Sequence, residues 1–163
     1  MTCSLIAAMS IDGILGSSTC QNQHGLLWDV PADRRHFFHT TRHKTILYGR
    51  KTFDAMGQKP LPNRRNLVLS RQTKRTITNC EVISDLKALS NTLSEKEDLM
   101  ICGGAQIYQL ALEANIVDTL IISLIPGLWQ GDVYFPRLNW NDWQVQESSK
   151  QKGFILQIWS KIR

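Results

Sequence analysis

The chain has 163 residues, of which 42% are hydrophobic and 20% charged; this suits one globular domain and excludes the apolar-poor, highly charged profile of a disordered chain. Its longest apolar stretch, around Leu120 to Leu128, is broken by Ser123, Pro126 and Gly127 and falls short of the roughly 20 residues that cross a bilayer. Nineteen basic residues against fourteen acidic ones give a net charge of +5, which favours an anionic partner: a phosphorylated cofactor, a carboxylate substrate or nucleic acid.

Met1 to Met9 carries no basic flank and reads as the start of a buried strand rather than a secretory signal, so the expected compartment is the cytoplasm. Cys3, Cys20, Cys80 and Cys102 form no C-x-x-C pair, which argues against a zinc knuckle and fits free thiols in a reducing compartment. Cys3 to Met9, Thr45 to Tyr48, Asn66 to Ser70, Glu81 to Ile83, Leu99 to Cys102 and Thr119 to Ile125 are apolar runs that predict strands. Pro31 to Thr41, Lys51 to Met56, Asp85 to Leu93 and Ala105 to Ala114 are the predicted helices, with Pro31 suited to a first turn. Strands alternating with helices predict an α/β fold with a largely parallel sheet. Trp143 to Ser149 and Phe154 to Ser160 alternate apolar and polar residues about Lys152 and Gly153, the pattern of an antiparallel hairpin closing the sheet. With no repeat or linker, residues 1–163 are expected to form a single domain.

Two strand-to-helix turns have the character of phosphate sites. Leu99 to Tyr108 passes through Gly103 and Gly104 into a helix, so that backbone amides and the positive helix end can approach a pyrophosphate. Thr45 to Thr52 repeats the arrangement with Gly49 at the turn and Arg50, Lys51 and Thr52 opening the next helix, and Ser70 and Arg71 end another strand as part of a basic rim for a ribose phosphate. Glycines also end strands for turn geometry alone, and neither turn has the G-x-G-x-x-G spacing of an ordinary Rossmann dehydrogenase.

Asp33 and Phe37 lie four residues apart on one helical face, with Trp28 just before the helix. A carboxylate among aromatic rings is desolvated, its pKa rises, and it binds strongly to a protonated or amidine-like heterocycle. The plainer reading is a first-turn acid at the positive end of its helix.

The joint pattern of Ser4 to Ala8, Leu26 to Asp33, Gly49 to Thr52, Lys59 to Arg64, Gly103-Gly104 and Gly131 to Pro136 resembles the dihydrofolate reductase family, in the family's order and across nearly the whole chain. The resemblance implies an eight-stranded, mostly parallel sheet with a C-terminal antiparallel hairpin and about four flanking helices. It implies reduction of 7,8-dihydrofolate to tetrahydrofolate with NADPH, by hydride transfer to pterin C6 and acid-assisted protonation of N5. By the same resemblance Asp33 binds the pterin, Trp28 orders water near it, and Ser123, where members usually have threonine, hydrogen-bonds the acid. Ile6, Ala8, Leu26, Phe37, Leu61, Cys102 and Tyr108 match positions around the substrate, and Arg64 matches the arginine that holds the glutamate carboxylate. Ala7, Leu15 and Gly16 match the nicotinamide end, and Gly49, Lys51, Thr52, Gly103, Gly104, Ala105, Gln106 and Ile107 match the pyrophosphate cradle, with a cis Gly103-Gly104 peptide. Arg50 and Arg71, beside Ser70, are the candidates for the 2'-phosphate. The family's usual monomer is the expected oligomeric state.

Two features depart from the family pattern. The segment from Gly16 to Trp28 is about five residues longer than in short bacterial members and is expected to act as a lid, with little apolar area in Ser17, Ser18, Thr19, Gln21, Asn22 and Gln23 to hold its outer part, while Leu26 and Leu27 dock its inner part. Leu27 also stands where most members have proline. Other readings weigh less: His36, His39 and His43 as a metal site on one helix face, when metal sites usually gather ligands from several segments; a pyrimidine reductase of riboflavin synthesis, which lacks a reason for Trp28, Asp33 and Arg64 together; and a nucleic-acid module, for which Lys74-Arg75 and the C-terminal Lys161 to Arg163 are too sparse. The expected partners are therefore dihydrofolate and NADPH, with no nucleic acid, membrane or metal.

Overall fold

A computed structural model describes residues 2–19, 26–72, 74 and 76–163. Its strands are β1 (Thr2–Ser10), β2 (Ile14–Gly16), β3 (Thr45–Gly49), β4 (Arg65–Leu69), β5 (Glu81–Ile83), β6 (Asp98–Ile101), β7 (Thr119–Ile125), β8 (Val133–Tyr134), β9 (Trp143–Lys150) and β10 (Ile155–Lys161). The helices are α1 (Pro31–Thr41), α2 (Arg50–Ala55), α3 (Leu89–Thr92) and α4 (Ala105–Glu113). Eight strands form one sheet in the order β5-β4-β3-β6-β1-β7-β10-β9, as expected; β10 runs antiparallel to both of its neighbours and the remaining pairings are parallel.

The period of two along a strand divides the core. Cys3, Leu5, Ala7 and Met9 of β1 join Leu47, Leu67, Ile101, Leu120 and Ile122 in a cluster covered by Ile107, Tyr108 and Ala111 of α4 and Leu89 of α3. On the opposite face Ile6 joins Ile46, Tyr48, Val68 and Met100 beneath Phe53 of α2 and Phe37 of α1. The central strands are apolar on both faces because helices cover both.

Two local expectations are corrected. The helix predicted over Asp85 to Leu93 is a 3-10 turn at Leu86–Ala88, capped by the Asp85 carboxylate on the Ala88 N–H at 3.0 Å, followed by the four residues of α3. The Ser90 and Thr92 hydroxyls bond back to the carbonyls of Lys87 and Ala88, a competition with the backbone that disfavours longer helices. The sequence reading also had no counterpart for the small β2–β8 sheet, whose short strands carry no alternation signal and pair across more than a hundred residues.

In this strand order β6 lies between β3 and β1, so the chain leaves β1 toward β3 but leaves β6 toward β7. That reversal marks a topological switch point at the carboxyl ends of β1 and β6, the place where open α/β sheets bind ligands.

Candidate active site

Asp33 is both a first-turn acid of α1 and a buried one. The residue is 7% exposed in the first turn of α1, and desolvation raises its carboxyl pKa above the usual aspartate value of 3.8. Hydrogen bonding from the Ser123 hydroxyl and the positive charge of His36, when protonated, act the other way and are weaker. His36 is itself held toward its neutral form by burial; its Nδ1 lies 3.5 Å from Thr40 Oγ1, its ring packs 5.9 Å from Phe154, and its Nε2 is buried without a protein partner. The histidine triad does not assemble: His43 lies beyond the end of α1 at φ 60°, and no group of three potential metal ligands occurs among the described residues.

Ser123 pairs with Ala8 in the β1–β7 register, and Ala8 packs into the cluster around Trp28, which also takes in Leu26, Leu27 and Trp129. Trp28 meets Trp129 edge to face at 5.5 Å, and its Nε1, buried with no protein acceptor, is a donor available to a polar ligand. Leu26 and Leu27 are half-buried against that cluster.

Ile6, Phe37, Leu61 and Cys102 share the α1-side cluster and form an apolar wall. The Tyr108 hydroxyl donates to the Ile6 carbonyl at 2.7 Å and stays neutral, since burial and the neighbouring Cys102 and Asp33 all raise its pKa. The Cys102 thiol, 3.4 Å from the Met100 carbonyl, is likewise held neutral by burial and acts as wall rather than nucleophile.

Beyond the end of α1, Arg64 donates from Nε to Thr41 Oγ1 at 2.9 Å, from Nη1 to the Pro62 carbonyl at 2.6 Å and from Nη2 to the Phe38 carbonyl at 2.9 Å, and its guanidinium lies 5.1 Å over the Phe38 ring. Three of five guanidinium hydrogens are spent on neutral acceptors, leaving one on each Nη. Burial lowers its pKa, yet a guanidinium stays charged. Among the described residues no carboxylate pairs with it, so it is a fixed cation with donors to spare.

The two glycine turns form one cradle. Gly49 N–H donates to the Gly103 carbonyl at 2.8 Å, and the Gly103-Gly104 peptide is cis. A Cβ on Gly49 would lie 2.8 Å from Ile107 Cγ1, so that Ile107 would have to shift, and one on Gly104 would lie a tight 3.0 Å from Thr52 Oγ1. Gly104 also leaves the first turn of α4, with Ala105 and Gln106, without a side-chain cap. Gly49 pairs with Leu69 in the β3–β4 register, which puts Arg50 and Ser70 side by side at the same edge. Arg50 reaches Asp54 at 3.9 Å, Ser70 accepts the Gln72 N–H at 3.1 Å, and Lys51 and Arg71 are exposed.

At the nicotinamide end expected from the family, Ala7 is buried, Leu15 packs against the main core, and Gly16 faces Gly131, where a Cβ would fall 2.4 Å from the Gly16 carbonyl. Ser18, in the segment expected to act as a lid, is held by a distant acid: it donates its N–H to Asp132 Oδ1 at 2.7 Å and its hydroxyl to Oδ2. An acid more than a hundred residues away in sequence gives no local signal of this contact. Gln21, Asn22 and Gln23 lie outside the described residues. The sequence reading also passed over Tyr48 and Asn66, which appeared there only as strand residues.

Residues 2–154 match the model of the dihydrofolate reductase family. The chain is 36% identical over 153 residues to dihydrofolate reductase type A13 of Escherichia coli, covering 93% of this chain and 87% of the relative. It is 37% identical over 149 residues to dihydrofolate reductase type 3 of Salmonella typhimurium, covering 91% and 87%. The dihydrofolate reductase of Haemophilus influenzae is 33% identical over 155 residues, 94% of this chain and 90% of that one. Among solved structures, dihydrofolate reductase from Enterococcus faecalis, complexed with NADP(H) and RAB-propyl, superposes with a TM-score of 0.85 at 24% identity, over 98% of this chain and 96% of that one.

Proposed function

The chain belongs to the dihydrofolate reductase family, and on that premise we propose that it reduces 7,8-dihydrofolate to 5,6,7,8-tetrahydrofolate with NADPH. The observation that carries the reading is the buried carboxyl of Asp33, whose charged form the Ser123 hydroxyl on β7 favours and burial disfavours. Ionised, such a group offers two oxygens to the N3 and 2-amino edge of a pterin, and because its pKa is raised it takes up a proton from solvent, for delivery onward, at a higher pH than an exposed aspartate. Trp28 Nε1 orders the water that passes a proton from this acid to N5. Ser123 holds the carboxyl as a threonine would, without the extra methyl. Ile6, Ala8, Leu26, Phe37, Leu61, Cys102 and Tyr108 enclose the ring system and exclude water, which strengthens every polar contact inside, and Arg64 presents its free donors to the glutamate carboxylate.

The residues fit a phosphorylated dinucleotide. The missing Cβ atoms at Gly49 and Gly104 let Ile107 and Thr52 pack closely against the two turns, the uncapped start of α4 offers amides, and basic side chains stand at the edge beside Ser70. NADPH when bound supplies the hydride for pterin C6. Gly49, Lys51, Thr52, Gly103, Gly104, Ala105, Gln106 and Ile107 hold its pyrophosphate; Arg50, Ser70 and Arg71 hold its 2'-phosphate; Ala7, Leu15 and Gly16 border its nicotinamide.

The reading takes the chain as a single-domain monomer acting on small molecules in the cytoplasm, without a nucleic-acid partner. No helix among the described residues is long and apolar enough to cross a membrane. Loss of NADPH absorbance on adding dihydrofolate to the purified protein tests it directly. Oxidation that depends on both protein and dihydrofolate is expected, and no oxidation above the protein-free rate would refute the assignment.

Cofactor choice gives a second test. Replacing both Arg50 and Arg71 by alanine is expected to raise the KM for NADPH by about tenfold or more and to leave the KM for NADH within about twofold, because charge-assisted bonds to a 2'-phosphate have no counterpart in NADH. Stability changes little, since the Arg50–Asp54 pair is partly exposed and long. A double variant that kept its preference for NADPH would place the phosphate site elsewhere.

A further inference from the structure

The loop from Lys59 to Arg64 has no helix or strand, yet it carries both Leu61 and Arg64. One side chain fixes its backbone. Asn66, 4% exposed in β4, accepts the Leu61 N–H at Oδ1 (2.9 Å) and donates from Nδ2 to the carbonyls of Leu61 (2.9 Å) and Arg64 (3.0 Å). The Tyr48 hydroxyl donates to the same Oδ1 at 2.6 Å. A primary amide has two donor hydrogens and two acceptor lone pairs, so these four bonds saturate it. The Leu61 N–H can only donate and the two carbonyls can only accept, so the amide has a single workable orientation.

Tyr48 is itself immobilised. It is fully buried in β3, and its ring stacks on Phe53 of α2 at 5.9 Å and 6°. The β3–β4 register pairs Ile46 with Asn66, which puts Tyr48 one strand across and two residues along on the same face. The Arg64 guanidinium is tethered to Thr41, Pro62 and Phe38 while its carbonyl is tethered to Asn66, so the residue is gripped at both ends.

We propose that Tyr48 and Asn66 are positioning residues that set affinity for the aromatic-amide and carboxylate half of the substrate by locking the loop that presents Leu61 and Arg64. The inference rests on the substrate reading given above for those two residues. Without the Tyr48 hydroxyl, Asn66 Oδ1 keeps one partner in a site closed to water, the amide gains freedom to rock, and the loop loosens with it. The pterin end, held by Asp33 on a different element, is unaffected.

Tyr48→Phe keeps the ring and its stacking and removes only the hydroxyl, which donates to Asn66 and also lies against the Cys80 side chain. The expected result is a KM for dihydrofolate about three- to tenfold higher, the size of one net hydrogen bond, with kcat within about twofold of the parent. Turnover of 6-methyl-7,8-dihydropterin, which lacks the benzoyl-glutamate half, and the Kd for NADPH by fluorescence should each stay within about twofold. Asn66→Ala, if it folds, should show the same selectivity at larger size. A folded Tyr48→Phe variant with an unchanged dihydrofolate KM would overturn the proposal, as would equal losses on both substrates. Quenching of tryptophan fluorescence by folate in the parent protein separates the two possible failures. No binding refutes the substrate reading, whereas binding with unchanged affinity in the variant refutes the role of Tyr48.

Discussion

Asp33→Asn is expected to retain the fold and NADPH binding and to lose turnover at neutral pH by on the order of a hundredfold or more, the contribution of an acid positioned at the reacting atoms. Asparagine fills the same space and can still accept the Ser123 hydroxyl, so what is lost is the carboxyl proton and the negative charge facing the pterin. The same variant should be the more stable protein at neutral pH. Burial raises the native-state pKa of Asp33 above the usual 3.8, so between 3.8 and the raised value the native state binds more protons than the unfolded chain. Stability contributed by the neutral acid is therefore lost as pH rises through that window. Asparagine has no such loss: its Tm should exceed that of the parent at pH 7, and the difference should vanish well below pH 3.8. Near-parental turnover in the variant between about pH 6 and 8 would remove Asp33 from the proposed chemistry.

Arg64→Lys is expected to raise the KM for dihydrofolate by about ten- to a hundredfold while kcat changes little, because lysine keeps the charge but loses the planar fork. It also loses the contacts that aim the group. The Phe38 carbonyl belongs to the last turn of α1, where carbonyls lack helical partners, and Thr41, whose hydroxyl receives Arg64 Nε, itself donates to the Phe37 carbonyl. A lower Tm by the equivalent of about 1 kcal/mol for each unreplaced bond should accompany the change in KM. A large fall in kcat without a change in KM would show that Arg64 acts on the reacting end of the substrate instead.

Much of this arrangement was legible in the residue pattern. The strands of the parallel sheet declare themselves because their burial on both faces requires continuous apolar runs, as at Thr45–Gly49, which is buried throughout. Helix α1 starts at Pro31 and ends at Thr41 as read, since proline suits a first turn. For Asp33 the sequence left two physical readings open; both hold, and the burial comes from tertiary packing that the helix pattern alone does not show. The contacts that escaped are those made between distant segments by ordinary residue types. Ser18 meets Asp132 across the β2–β8 edge, and Tyr48 meets Asn66 on the adjacent strand. A tyrosine in an apolar run reads as packing, and only its neighbour across the sheet shows that the hydroxyl has a partner.

The claim on which the account turns is that the buried carboxyl of Asp33 supplies the proton that accompanies hydride transfer. Its most direct test is the pH dependence of single-turnover hydride transfer from NADPH to dihydrofolate, measured in parallel for the parent protein and Asp33→Asn. The account predicts a parental rate that rises as pH falls and levels off at an apparent pKa above the ordinary aspartate value of 3.8, with that inflection absent from the variant. A flat parental profile, or the same inflection in both proteins, would contradict it.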